Sequence, residues 1–348
     1  MSTFHSLAIK DYIQETANAV SLVFDIPEHL KNTFSFKAGQ YVTLKTSIEG
    51  KEIRRSYSIC SSPKSGELKV AIKKVEDGIF SSYAISHLKK GDVIDVHEPE
   101  GKFILEPIRS TNYLGIAAGS GITPVLSMVK TVLQDEPSSS FTLIYGNKSS
   151  AETMFKSELD TLSHKYGKRF NLEYVFSRQN EEGSLFGRID KGHLNYFIKN
   201  IYKNWSFKTT FLCGPEEMIK TISTTLKENN FKESQILFEL FTASINEEGS
   251  SQIKDGQTEV SVLLDDEEIH FTMNQTDNIL AAALRNDVDA PYSCQGGVCS
   301  SCLGRVSEGT AVMVKNSILT DDEVSEGFIL TCQAHPTTSK ISIDFDDV

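Results

Sequence analysis

Four cysteines constrain this chain more than any other feature. Cys294, Cys299 and Cys302 stand in a C-x4-C-x2-C run, and Cys332 follows after a gap of 29 residues. Three thiols on one short segment and a fourth on another must meet at one site, so the fold has to bring two separate loops together. This is the plant-type [2Fe-2S] spacing, and soft thiolates suit iron in tetrahedral coordination. Gly296, Gly297, Ser300 and Ser301 between the ligands are small, so the backbone can curl and aim N–H groups at the sulfurs. A four-cysteine zinc site is the alternative, but zinc ribbons favour two C-x2-C pairs and only one is present.

With Cys60 and Cys213 the chain has six cysteines, four of them in the last 55 residues and three within nine, and in a cytoplasmic protein that clustering argues for metal or cluster ligation over a disulfide framework. The longest apolar stretches, such as 113–118, fall far short of the ~20 residues of a membrane crossing, and the first ten residues lack a signal pattern. At 348 residues, 39% hydrophobic and 24% charged, the chain is a globular protein of two to three domains. Its net charge of -12 is confined to 257–348, where 16 acidic residues face four basic ones. A patch of that sign repels nucleic acid and anionic lipid; it suits steering of a basic protein partner or, alternatively, is a solvated acidic surface that keeps a small domain soluble.

Short β-branched and aromatic runs at 41–45, 56–59, 68–72 and 93–96 predict an antiparallel β-barrel over 1–108, with one helix after Gly78 where Phe80, Tyr83, Ala84 and Leu88 recur at helical spacing. From Tyr113 strands (114–118, 141–145, 172–176, 210–213, 236–238) alternate with helices (125–133, 152–166, 191–201, 215–227), predicting a doubly wound parallel α/β domain over 109–242. A Ser-, Gly- and charge-rich linker follows at 243–256. The last segment, 257–348, reads as an α+β domain with a hairpin at 260–264 and 269–272, a short helix at 278–284 and Asp346 near the end of a final strand.

Three motifs lie ahead of the cysteines. Arg55-Ser56-Tyr57-Ser58 follows a strand, and Ile72-Lys73 precedes Gly78-Ile79-Phe80-Ser81-Ser82 at a helix start, where free N–H groups favour a pyrophosphate. Gly119-Ser120-Gly121-Ile122-Thr123-Pro124 joins a strand to a helix, with Pro where a dinucleotide fingerprint has its third Gly. Cys213-Gly214-Pro215 ends the fourth α/β strand, where open parallel sheets bind ligands.

In this order and spacing the motifs over 1–242 resemble the ferredoxin-NADP reductase superfamily, and 257–348 resembles the plant-type ferredoxin domain, a β-grasp fold. The resemblance implies FAD, a [2Fe-2S] cluster held by Cys294, Cys299, Cys302 and Cys332, and NAD(P)H as donor. It gives Arg55 and Tyr57 to the flavin phosphate and ribityl region and Ser58 to flavin N5. Ile72 and Lys73 line the flavin, and Phe80, Ser81 and Ser82 bind its pyrophosphate. Gly119, Ser120, Gly121 and Thr123 cradle the nicotinamide nucleotide, and Cys213, with Gly214 and Pro215, faces the nicotinamide. Glu239 helps proton exchange, and the Phe241 ring covers the flavin until nicotinamide displaces it. No acidic residue follows the second α/β strand, and Ser177-Arg178 after the third suits a 2'-phosphate, so NADPH is expected over NADH.

The order reductase then ferredoxin is similar to the reductase subunits of multicomponent diiron oxygenases. Phe238-Glu239-Leu240-Phe241-Thr242, Tyr145-Gly146-Asn147 and Leu330-Thr331-Cys332-Gln333-Ala334 draw it toward the phenylacetyl-CoA epoxidase reductases, with a departure at Lys148, where that family often has Arg. The expected partner is an oxygenase component docking near the acidic ferredoxin domain. A reductase for another hydroxylase or desaturase would carry the same motifs. A cluster-bearing redox sensor is the non-enzymatic alternative, against which Arg55, Ser58, Cys213 and Glu239 stand intact.

Overall fold

The computed structural model describes residues 3–241 and 250–348, and its contacts divide the chain into two compact units, Phe4–Glu239 and Leu240–Val348. Residues 242–249, and with them half of the predicted linker, lie outside the described residues.

The first half of the larger unit is six antiparallel strands: β1 (Phe4–Thr16), β2 (Ala19–Asp25), β3 (Tyr41–Ile48), β4 (Lys51–Ser58), β5 (Leu68–Lys73) and β6 (Val93–His97). Their order is β4-β3-β6-β1-β2-β5, and an antiparallel bridge between Ile59 and Val70 joins the two outer strands into a barrel. Alternate residues fill it: Leu7 and Ile9, Val42 and Leu44, Val70 and Ile72, Ile94 and Val96 share one core cluster. Helix α1 (Ile79–Ser86) adds Phe80 and Ala84 to that cluster.

The second half is parallel throughout. Strands β7 (Asn112–Ala118), β8 (Ser140–Asn147), β9 (Phe170–Phe176), β10 (Ser184–Phe186), β11 (Phe207–Cys213) and β12 (Ile236–Glu239) lie in the order β10-β9-β8-β7-β11-β12. The chain builds outward from β7 in one direction and returns to its other side at β11. The gap between these carboxyl ends is therefore the switch point where such sheets bind ligands. Helices α2 (Ile122–Asp135), α3 (Lys156–Tyr166), α4 (Lys191–Tyr196) and α5 (Glu216–Glu228) make the crossovers. α2 is buried almost all round, 11 of its 14 residues, so it must be covered on more than one face.

The smaller unit has β13 (Gln257–Leu264), β14 (Glu267–Asn274), β15 (Leu303–Glu308), β16 (Ala311–Met313), β17 (Phe328–Leu330), β18 (Ala334–Pro336) and β19 (Lys340–Asp344). Five form a mixed sheet, β14-β13-β19-β15-β17, in which β13 and β19 are parallel and the other pairs antiparallel. The helix Ile279–Arg285 packs Ile279, Leu280, Ala282 and Ala283 into the sheet's core, giving a β-grasp. Among the described residues no helix is long and apolar enough to cross a membrane.

Three local expectations shift. The helix expected from Glu152 begins at Lys156, because Phe155 takes φ 58 and breaks the turn before it. β10 is a sixth parallel strand of only three residues, too short to leave a period. Asp346 lies beyond the last strand, where its carboxylate accepts the N–H groups of Asp265 (2.9 Å) and Asp266 (3.0 Å). Both have positive φ, so Asp346 holds the β13–β14 turn.

Phe211 in β11 is fully buried and packs edge-on against Phe103 from the barrel side, 5.8 Å between ring centroids. Phe211→Ala is expected to destabilise the larger unit by about 3–5 kcal/mol. Urea unfolding followed by the fluorescence of Trp205, the chain's single tryptophan, reads that unit directly.

Candidate functional site

The parallel registers bring three strand ends together. Ala117 in β7 pairs with Cys213 in β11, and Cys213 pairs with Glu239 in β12. From the barrel, Ser58 at the end of β4 donates its hydroxyl proton to Glu239 Oε2 at 3.2 Å. Ser58, Cys213 and Glu239, far apart in sequence, thus form one constellation at the switch point. Burial pushes the Glu239 carboxyl up to about 8, and the Ser58 hydrogen bond opposes the rise. The Cys213 thiol is pushed well above its ordinary value by burial and then by the Glu239 charge, so it is a neutral thiol.

The Gly119-Ser120-Gly121 turn lies against the same strand ends. A Cβ at Gly121 would sit 2.1 Å from the Cys213 carbonyl oxygen, so only glycine permits this approach. Thr123 donates to the Ser120 carbonyl (3.0 Å) and Tyr145 to that of Gly119 (2.9 Å), and no side chain caps α2. The Ile122 N–H already bonds to the Gly119 and Ser120 carbonyls and Pro124 has none, so the glycine turn itself, rather than the first turn of α2, is the backbone that can approach an anion closely. Lys73 joins the turn from the barrel, its Nζ 3.5 Å from where a Gly119 Cβ would stand. Burial and then the neighbouring Lys148 lower its pKa, with Glu152 opposing. On the far side of the turn Gly214 packs closely, a Cβ there meeting Ala118 at 3.1 Å, and Pro215 precedes α5.

On the barrel, Arg55 and Tyr57 lie half-buried on β4. Arg55 donates to the Arg54 carbonyl at 2.6 Å, and the Tyr57 ring rests 5.6 Å from that of buried Phe80. Burial raises the Tyr57 hydroxyl pKa, with Arg55 lowering it. Ile72 is fully buried in the barrel core, so its side chain packs inside the barrel and does not line an open site. Ser81 accepts from the Val75 N–H (3.1 Å) and donates to the Gly78 carbonyl (3.2 Å). Its hydroxyl is engaged in the loop, so the uncapped N–H groups of α1, with half-buried Ser82, are what the site offers an anion. At the third α/β strand, Ser177 and Arg178 donate backbone N–H groups to the Asn147 and Lys148 carbonyls, both at 2.9 Å. Exposed Arg178 and Lys148 thereby stand beside each other at the ends of β8 and β9. Phe241 follows β12 by two residues and is 38% exposed.

In the smaller unit the four cysteines form two pairs. Cys294 lies against Cys299 and Cys302 against Cys332, each close enough to perturb the other's thiol. Among the described residues no three His, Cys, Asp or Glu side chains are grouped to hold one metal ion. Two pairs of thiols suit two irons, each completing its tetrahedron with bridging sulfide, so the donor set fits a [2Fe-2S] cluster. The Cys299 thiol holds Cys294 toward the thiolate, as do the N–H groups of Gly296, Val298 and Cys299, against burial. The Gly296 N–H lies 3.3 Å from that sulfur. Gly297 takes φ 72, and a Cβ there would lie 2.9 Å from the Lys315 carbonyl, so the curl of this loop needs glycine.

Motif reading missed Gln333. Its buried side-chain amide donates to the Gln295 carbonyl at 3.0 Å and reaches Cys332 Sγ at 3.7 Å, tying the two ligand loops together. Its place next to a ligand was a signal, but nothing in the sequence shows which way its amide turns.

Family models match along most of the chain: an oxidoreductase FAD-binding domain over 6–104, an oxidoreductase NAD-binding domain over 116–224 and a 2Fe-2S iron-sulfur cluster binding domain over 262–337. A subunit of the 1,2-phenylacetyl-CoA epoxidase of Escherichia coli is 40% identical over 351 residues, covering 99% of each chain. The ferredoxin reductase component of 3-ketosteroid-9-alpha-monooxygenase from Rhodococcus rhodochrous is 29% identical and covers 97% of this chain and 96% of that one. The structure of phthalate dioxygenase reductase shares the fold, with TM-score 0.66, 22% identity and 98% of both chains covered.

Two outcomes are expected from this geometry. Because Glu239 titrates near 8 when folded and near 4.5 otherwise, the folded chain keeps a proton that the unfolded chain loses. Its contribution therefore lowers stability as pH rises from about 4.5 to about 8 and is constant above. Glu239→Gln removes that slope in urea midpoints taken across the window. Gln333→Leu is expected to retain the cluster spectrum but lower its reduction potential by about 60 mV, a tenfold change for one electron, in an anaerobic spectroelectrochemical titration.

Proposed function

The chain belongs to the ferredoxin-NADP reductase superfamily, in the branch with a C-terminal [2Fe-2S] domain, and from that premise we propose that it is the reductase component of a multicomponent diiron oxygenase. It is an NAD(P)H-dependent flavin and iron-sulfur oxidoreductase that passes electrons to an acceptor protein. The acceptor assigned here is a phenylacetyl-CoA epoxidase, a reading supported by end-to-end likeness to one component of that enzyme. A cytoplasmic location belongs to the same reading, supported by cysteines whose clustering suits ligation over disulfides.

The observation that carries the mechanism is the Ser58–Glu239 hydrogen bond beside Cys213. Bound FAD supplies the conversion between a two-electron hydride and the single electrons that a [2Fe-2S] cluster carries. Arg55 and Tyr57 hold the flavin phosphate and ribityl region, Tyr57 braced by Phe80. Ile72 and Lys73 border the flavin, and Phe80 and Ser81 through their backbone N–H groups, with Ser82 through its hydroxyl, take its pyrophosphate. Gly119, Ser120, Gly121 and Thr123 hold the nicotinamide coenzyme against Gly214 and Pro215. Cys213 offers the nicotinamide a neutral, uncharged wall. Ser58 faces flavin N5, and Glu239 keeps a proton at its carboxyl below pH about 8 that the Ser58 hydroxyl can relay. Phe241 shields the flavin when no nicotinamide is present. Cys294, Cys299, Cys302 and Cys332 would hold the cluster, which would carry single electrons onward to the acceptor.

NADPH is the proposed donor. Arg178 and Lys148 present two cations at adjoining strand ends, suited to a 2'-phosphate, while Glu181, whose carboxylate reaches the same corner, is engaged with the Ser150 N–H at 3.2 Å. Docking of the acceptor is assigned to the ferredoxin unit, whose residues 257–348 carry the whole net charge of -12.

An anaerobic stopped-flow experiment tests these assignments. NADPH should bleach the flavin and cluster bands faster than NADH, and Arg178→Ala should raise the NADPH half-saturation about tenfold while sparing NADH. The reduced protein should then be reoxidised by the diiron epoxidase component, several-fold more slowly at about 0.5 M salt than at low salt. Equal rates with both coenzymes would refute the donor, and reoxidation by another oxygenase alone would refute the acceptor.

A further inference from the structure

Residues 60–64 continue directly from β4, the strand of Tyr57 and Ser58, and they lie along one face of α2. Ser127 donates its hydroxyl to the Ser61 carbonyl at 2.6 Å, and Lys130 Nζ donates to the Cys60 carbonyl at 3.0 Å. One turn on, Ser62 donates to Gln134 Oε1 at 2.7 Å, and Lys64 meets Asp135 at 3.1 Å. Positions 127, 130, 134 and 135 share a face at helical spacing. Ser127 is fully buried and the Lys130 side chain 11% exposed, so neither is an adaptable surface contact. Lys130 is itself fixed by Glu158 of α3 at 2.6 Å. A buried ammonium with two oxygen partners has a costly alternative, since releasing it leaves a carbonyl and a carboxylate unpaired.

The two ends of this contact are the two halves of the reaction site. Cys60 lies two residues after Ser58, and Ser127 lies six after Gly121. A helix rises ~1.5 Å per residue, so α2 holds the nucleotide turn at a fixed distance of about 9 Å from its Ser127 contact. Transfer of a hydride needs its donor and acceptor atoms within about 3–3.5 Å, and an error of about 1 Å can cost a hundredfold in rate. We propose that Ser127 and Lys130 are positioning residues for hydride transfer. By clamping two successive carbonyls of the flavin strand to α2, they set the separation of the nicotinamide and flavin subsites without touching either ligand. The step itself is unchanged: NADPH gives up one hydride to the flavin and leaves as NADP+.

The inference rests on the proposed placement of flavin at Ser58 and nicotinamide at the 119–123 turn. The test uses the full-length, FAD-loaded protein with Ser127→Ala, Lys130→Met, Lys130→Arg and the double variant Lys130→Met with Glu158→Gln. The double variant removes the orphaned carboxylate charge, and Ser127→Ala deletes a single hydroxyl if Lys130→Met folds poorly. In anaerobic stopped flow, the limiting rate of flavin bleaching at saturating NADPH should fall about tenfold or more in Ser127→Ala, Lys130→Met and the double variant, with half-saturation changed less than about twofold. The long-wavelength charge-transfer absorbance on mixing with NADP+ should weaken in the same variants, and hydrogen exchange at amides 60–62 should quicken. Lys130→Arg should recover most of the rate. Wild-type limiting rate and charge-transfer absorbance in these variants, with only a lower melting temperature, would reduce the contact to domain packing and overturn the proposal. Absence of charge-transfer absorbance in the wild-type protein would instead overturn the subsite placement on which it rests.

Discussion

Parallel pairing around β11 is the constraint on which the candidate site depends. β11 has β7 on one side and β12 on the other, with Ala117, Cys213 and Glu239 in line across the three strands. Parallel strands end together, so a glycine turn, a thiol and a carboxyl arrive at one edge without any of them being near another in sequence. The approach is close enough that the turn at Gly121 touches the Cys213 carbonyl. Everything else at this edge, including the hydroxyl that Ser58 brings from the barrel, is arranged around that row.

The two compact units solve opposite electrostatic problems. In the larger one charge is balanced, and the functional groups are kept neutral or half-neutral by burial, as at Glu239 and Cys213. In the smaller one, sulfurs destined to be anionic are surrounded by N–H groups that favour the thiolate, at Cys294 above all. A site that handles protons benefits from groups close to their titration point, whereas a site that handles single electrons benefits from fixed dipoles that do not titrate. The excess of carboxylates on the outside of the smaller unit is a third, separate use of charge.

Most of the architecture was legible because its signals are local. The cysteine spacing, the change from strand runs to strand–helix alternation and the glycine turns each announce themselves within ten residues or so. Features that depend on tertiary partners were not. β10 is three residues long and owes its existence to pairing with β9. α3 begins late because of the left-handed backbone at Phe155, a residue type that gives no such hint. The candidate site divides the same way. The positions in the motifs could be named, but the engaged hydroxyl of Ser81, the core side chain of Ile72 and the amide of Gln333 depend on neighbours that only the folded chain supplies. Lys130 reads from sequence as an ordinary charge on an amphipathic helix.

The contact between α2 and the 60–64 segment also bears on how this protein can change over generations. Each residue added to a helix rotates every later position by about 100° around the axis. One codon gained or lost between Gly121 and Ser127 would swing Ser127, Lys130 and Gln134 away from their partners together. A substitution along α2 removes one partner at a time, whereas a change of its length before Ser127 removes them all. Length variation among descendants should collect instead in segments such as the exposed turn at 49–50 between β3 and β4.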